Sequence, residues 1–111
     1  MIEKTILDYL NSRLDEPVYM EEPISPSGSY VIIEKTGGNI QEHISHSTLA
    51  IQSYAASMYG AASLNDRIIG EMINAIKLDE ITDVELNSNY NFTDTETKKY
   101  RYQAVFDITH Y

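Results

Sequence analysis

The sequence predicts a single α+β domain: an antiparallel, twisted sheet of four to five strands with two helices, about residues 2–15 and 57–77, packed on one face. Three observations carry this. Near the C-terminal end Tyr100, Tyr102, Ala104, Phe106 and Ile108 alternate with Arg101, Gln103, Asp107 and Thr109, the two-residue period of a strand with one buried face. Two other stretches repeat apolar residues at steps of three and four, the helical period. The resulting order, helix, strands, helix, strands, sets both helices over one face of a sheet. At 111 residues the chain is one domain's length, enough to bury roughly two thirds of the surface that its unfolded form exposes.

The first helix rests on Ile2, Ile6, Tyr9, Leu10 and Leu14, with Glu3, Lys4, Asp8, Asn11, Ser12 and Asp15 opposite. Pro17 ends it, because the residue before a proline is pushed out of the helical region. Val18, Tyr19 and Met20 offer at most a short edge strand. Residues 21–29 collect two prolines, a glycine and three serines and form an exposed loop. Tyr30, Val31, Ile32, Ile33, Glu34 and Lys35 read as a β-branched strand, and Gly37, Gly38 and Asn39 supply the positive φ angles of a tight hairpin turn. The returning strand covers residues 40–54, with Leu49 and Ile51 on one face and Ala50 and Tyr54 on the other.

The main helix follows, with Met58, Ala61, Ala62, Leu64, Ile68, Ile69, Met72, Ile73 and Ile76 in its apolar stripe and Ser57 as its N-cap. Gly60 and Gly70 each cost about 1 kcal/mol relative to alanine inside a helix, so they mark its ends or a neighbour's close approach. Residues 79–83 form a turn. Val84, Leu86 and Tyr90 alternate with polar residues as a further strand, and residues 87–95 make a polar connection into the final one. Because the chain stops on that strand, its terminus is expected to be pinned into the sheet, and truncation there poorly tolerated.

Seventeen acidic side chains against eight basic ones leave a net charge of −9, which repels polyanions and disfavours direct binding of nucleic acid or anionic lipid. The longest apolar run falls far below the ~20 residues of a membrane span. With no cysteine there is no disulfide, thiolate metal site or cysteine nucleophile, and Met1, Ile2, Glu3 and Lys4 lack a signal peptide's apolar core. Synthesis and use in a reducing cytoplasm, or in an assembly put together there, is the expectation.

No motif carries catalysis. His43 and His46 have a spacing that two metal ligands can adopt, but in an extended segment residues three apart point to opposite faces, so a solvated hairpin is the better reading. His110 reads as a strand-end residue. The pairs Asp15 and Glu16, Glu21 and Glu22, and Asp79 and Glu80 lie at element ends and in loops, where solvated charge is the ordinary explanation. Gly37 and Gly38 lack the lysine and serine of a phosphate loop, and no helix follows them. The nine tyrosines bury apolar area while keeping a polar tip, which suits half-buried sheet faces and subunit interfaces alike.

The segments 30–38, 49–55, 86–88, 90–95 and 100–107 together resemble the small tail-terminator, or tail-completion, proteins of long-tailed phages and prophages of Gram-positive bacteria. The resemblance runs nearly end to end and rests on structural signatures, not catalytic ones. It implies a non-enzymatic virion protein, without cofactor or metal, that caps the finished tail tube as a ring of typically six copies. Such a ring stops tube elongation and presents the surface that docks on the filled head. The implied partners are further copies of the chain, the tail tube protein and a head-completion or connector protein. A head-side neck protein of the same joint would have the same composition; a small acidic regulatory binding module is the further alternative, disfavoured because the acids are scattered and not set in a phosphate-like row.

A chain of this length has a radius of gyration of about 13 Å, a globule roughly 34 Å across, and six in a ring leave a hole of about one globule diameter. Six copies at −9 bring −54 together, so a monomer or weak oligomer is expected in dilute solution. The expected assembly contacts are the loops: Glu21, Glu22, Ile24 and Ser25 in the first, Gly37, Gly38, Ile40, Glu42 and His43 in the second, and Asn91 and Asp94 in the connection before the last strand.

Overall fold

The structure, a computed structural model, describes residues 1–26 and 28–111; Ser27, within the first predicted contact loop, lies outside the described residues. Helix α1 (Ile2–Arg13) leads to β1 (Val18–Tyr19), β2 (Tyr30–Gln41) and β3 (Ile44–Ala55). Helix α2 (Met58–Asn74) and a 3-10 turn (Ala75–Lys77) lead to β4 (Ile81–Asn91) and β5 (Tyr100–His110). The five strands form one sheet in the order β1-β2-β3-β5-β4. Every neighbouring pair is antiparallel except β1 with β2, which is parallel. The sheet is therefore mixed rather than wholly antiparallel, because the loop after β1 carries the chain back to start β2 in the same direction.

β5 lies inside the sheet, between β3 and β4, and its clean alternation reflects one face packed on the core. Its Ala104, Phe106 and Ile108 face the helices and meet Val31, Ile33, Leu49 and Ile51 from the neighbouring strands. Ile6 and Leu10 of α1 and Leu64, Ile68 and Met72 of α2 close this cluster from above, so both helices cover one face. Among the described residues the other face carries no helix.

The helix ends follow local chemistry. Ser57 accepts a hydrogen bond from the Gly60 N–H at 3.0 Å, the expected N-cap. A Cβ on Gly60 would lie 3.1 Å from that of Ala55, the close approach expected of one helical glycine. α1 stops at Arg13, ahead of Pro17, where Leu14 is already extended. Asn11 exchanges two hydrogen bonds with the Val18 backbone, at 3.0 and 3.4 Å, and so pins β1 beneath α1.

Two turns differ from the sequence expectation. Gly37 and Gly38 do not turn the chain: they continue β2 past a bulge between Lys35 and Gly37. A Cβ on Gly38 would lie 2.9 Å from the His46 carbonyl oxygen, so glycine here answers close approach inside a strand. The hairpin turns four residues later, at Glu42 and His43, whose φ angles of 52° and 69° are those a two-residue hairpin demands at both central positions. Residues 37–46 are thus a paired ribbon, not a loop. Likewise β4 already starts at Ile81, within the expected 79–83 turn, and runs to Asn91, so the connection to β5 shrinks to residues 92–99.

Left-handed backbone costs a side chain with a Cβ roughly 1–2 kcal/mol per residue. Replacing Glu42 and His43 by Asn and Gly, the pair that such turns prefer, is expected to stabilise the fold by about 1 kcal/mol. Thermal melts of this double variant check it; an unchanged or lower midpoint would contradict the turn.

Candidate assembly surface

β2 spans 12 residues, which separates its two ends by about 36 Å. The predicted contact residues divide between these ends. Glu21, Glu22, Ile24, Ser25, Asn91 and Asp94 gather where β2 and β5 begin; Gly37, Gly38, Ile40, Glu42 and His43 sit on the hairpin at the opposite end.

At the first end the Tyr30 and Tyr54 rings stack with centroids 4.6 Å apart, and Tyr19 meets Tyr30 edge-on at 6.3 Å. The Lys99 ammonium and the Arg101 guanidinium approach the Tyr54 ring at 5.6 and 5.8 Å, and Arg101 lies 4.3 Å above Phe92. Glu22 joins two segments: it pairs with Lys99 and accepts from the Tyr30 hydroxyl at 2.9 Å. Lys99, then Tyr30, hold the Glu22 carboxyl below its ordinary range, while burial, then Glu22, pushes the Tyr30 hydroxyl up. Glu22 therefore stays ionised and Tyr30 neutral, the states that keep this contact closed.

From Tyr54 a row of hydrogen bonds crosses the helix-free face. Arg101 donates to the Tyr54 hydroxyl at 3.2 Å, Tyr54 donates to Gln52 at 3.1 Å, and Gln52 donates to Gln103 at 2.8 Å. Gln103 then donates to the Tyr90 hydroxyl. All four bonds are donated in the same direction, from Arg101 towards Tyr90, an arrangement in which neighbours strengthen one another. Farther along, Asp107 accepts from Thr48 and Asn87 at 3.0 and 2.9 Å. The face is polar but internally satisfied.

The hairpin end is different. Residues 34–44 are all exposed, Ile40 at 76%. His43 occupies the turn, while His46 contacts Thr109 at 3.3 Å and His110 contacts Ser47 at 2.8 Å. Among the described residues no three His, Asp or Glu side chains form a metal-binding group. Of the acidic pairs, Glu16 binds Arg67, which holds its carboxyl down, and Glu22 binds Lys99; each joins separate elements. Asp94 accepts from the backbone N–H groups of Glu96 and Thr97 at 3.0 and 3.4 Å, which, with the Thr97 side chain foremost, keep it ionised in its turn.

Two features escape a reading along the sequence. The Glu22–Lys99 link spans 77 positions and has no local signal. The outer edges of β4 and of β2 beyond Ile32, without a strand partner among the described residues, depend on strand order, which periodicity does not encode. No protein-family model and no curated protein matches the chain.

Proposed function

We propose that this chain is a non-enzymatic building block of a phage or prophage tail, a terminator that closes the finished tube as a ring of copies and offers the head its docking surface. The observation that supports the reading is the division of the predicted contact residues between two ends of one sheet, about 36 Å apart, since a joint must grip a different partner at each end. The extents of 44 × 25 × 25 Å refine the expected ring. Six subunits standing on end enclose a hole of about one subunit width, 25 Å, enough for a DNA duplex. The net charge of −9 per subunit keeps passing phosphates from sticking.

Inactivating the gene in the phage that carries it is expected to yield tails of uncontrolled length, visible by electron microscopy. Tails of normal length joined to heads at normal yield would overturn the reading. Tails of normal length beside filled heads that leak would move the protein to the head side of the joint. Deleting residues 24–28 is expected to spare the fold and abolish joining.

A further inference from the structure

We infer that copies of this chain join edge to edge, the open stretch of β2 in one copy pairing antiparallel with β4 of the next. Among the described residues β1 covers only Val31 and Ile32, so the outer edge of β2 has no strand partner there over residues 33–41, and β4 pairs with β5 alone. Neither stretch contains a proline, and an open edge of this kind is a ready template for another strand.

Topology sets the orientation. Three successive antiparallel pairings, β2 with β3, β3 with β5 and β5 with β4, leave β4 antiparallel to β2. A copy rotated about an axis along the strands therefore presents β4 to β2 in the mode that the sheet already uses, helix side to helix side. Because the two edges differ, the contact is head-to-tail and repeats into a ring or a filament.

The levels also match. Reading across the sheet, Ile40 lies level with Ser45, His110 and Ile81, and Ile33 with Ile51, Ala104 and Asn89. An unshifted neighbour thus lays residues 81–89 beside residues 33–40, the stretch that β1 leaves open. On the helix side at this level, Ile73 and Ile76 are 56% and 47% exposed next to β4, and Ile40 is exposed on the hairpin, which no helix covers. Pairing brings these apolar side chains together.

Charge favours this choice despite the net acidity. Asp83 falls level with Asn39, Glu85 with Gly37, and Glu34 with Ser88, so no like charges face one another. Two β4 edges meeting about Val84 would instead oppose Asp83 to Glu85. The pairing does not require the assembly to be a phage tail, so its test is separate from tail length.

The chain has no cysteine, so Asn39→Cys and Asp83→Cys placed together report only this contact. Within one chain they lie three strand spacings apart, about 14 Å, too far for a disulfide. Mild oxidation at high protein concentration and high salt is expected to give a ladder of dimers, trimers and larger species that collapses on reduction, while neither single variant crosslinks. Adding Ile73→Glu or Ile40→Glu, both at exposed positions, should cut the ladder at least tenfold with an unchanged circular dichroism spectrum. No ladder, or dimers from Asn39→Cys alone, would overturn the pairing. A ladder untouched by both glutamates would overturn the apolar contact. A ladder from a protein whose loss leaves tail length normal would keep the pairing and refute the tail assignment.

Discussion

Phe106→Ala is expected to cost about 4 kcal/mol of folding stability, close to half of what a domain of this size ordinarily has. Phe106 is fully buried on β5, level with Leu49 on one side and Leu86 on the other. It belongs to the buried cluster that Leu64, Ile68 and Met72 of α2 close, and α2 is the helix that packs on β5. Alanine would leave a cavity beneath α2 that the packed sheet cannot close by itself. The midpoint of thermal unfolding should fall by about 16 °C, with the urea m-value unchanged. Ile108→Val, on the same face, removes one methyl group and should cost about 1 kcal/mol. A loss at Phe106 no larger than that would deny it the central place.

How much of this fold can be read along the chain depends on how local its causes are. β5 alternates without interruption because it is paired on both sides and covered on one, so every second residue sees the core. α2 is equally legible, down to its Ser57 cap. β4 is not. Its register shifts at Thr82 and Asn87 break the alternation, and beyond Leu86 the side chain facing α2 is Asn89, which accepts from buried Asn65 at 2.8 Å. A polar pair at the helix face makes the second half of the strand look like loop.

The hairpin misleads for a related reason. Gly37 and Gly38 carry the strongest local turn signal in the chain, yet the pairing of Ile33 with Ile51 and Lys35 with Leu49 keeps Leu49 and Ile51 on the core face and carries β2 onward. The turn then falls on Glu42 and His43, residues chosen by position and not by preference. All the candidate contact residues except half-buried Asp94 are exposed, and their grouping at two ends of the sheet follows from the strand order, which is a long-range property. The tyrosines behave similarly: composition marks them as suited to packing or interfaces, and only the register shows Tyr30 opposite Tyr54.

Tyr54→Ala is expected to cost about 3 kcal/mol and, more tellingly, to release two segments together. The Tyr54 ring is buried, stacks on Tyr30 and receives Lys99 and Arg101 at its face and hydroxyl. Tyr30 in turn donates to Glu22, and Lys99 pairs with the same carboxylate. Remove the ring, and Glu22 loses the platform that holds both its partners, so residues 20–26 and 92–99 come loose at once. Lys98 and Lys99 lie in the second segment, so trypsin reads the release directly: cleavage there should quicken at least tenfold under conditions where the rest of the chain stays intact. Tyr54→Phe keeps the stack and loses only the hydroxyl's bonds to Gln52 and Arg101, about 1 kcal/mol, with cleavage near the wild-type rate. Equal cleavage of the alanine variant and the wild type would show that the two segments are held by something other than this ring.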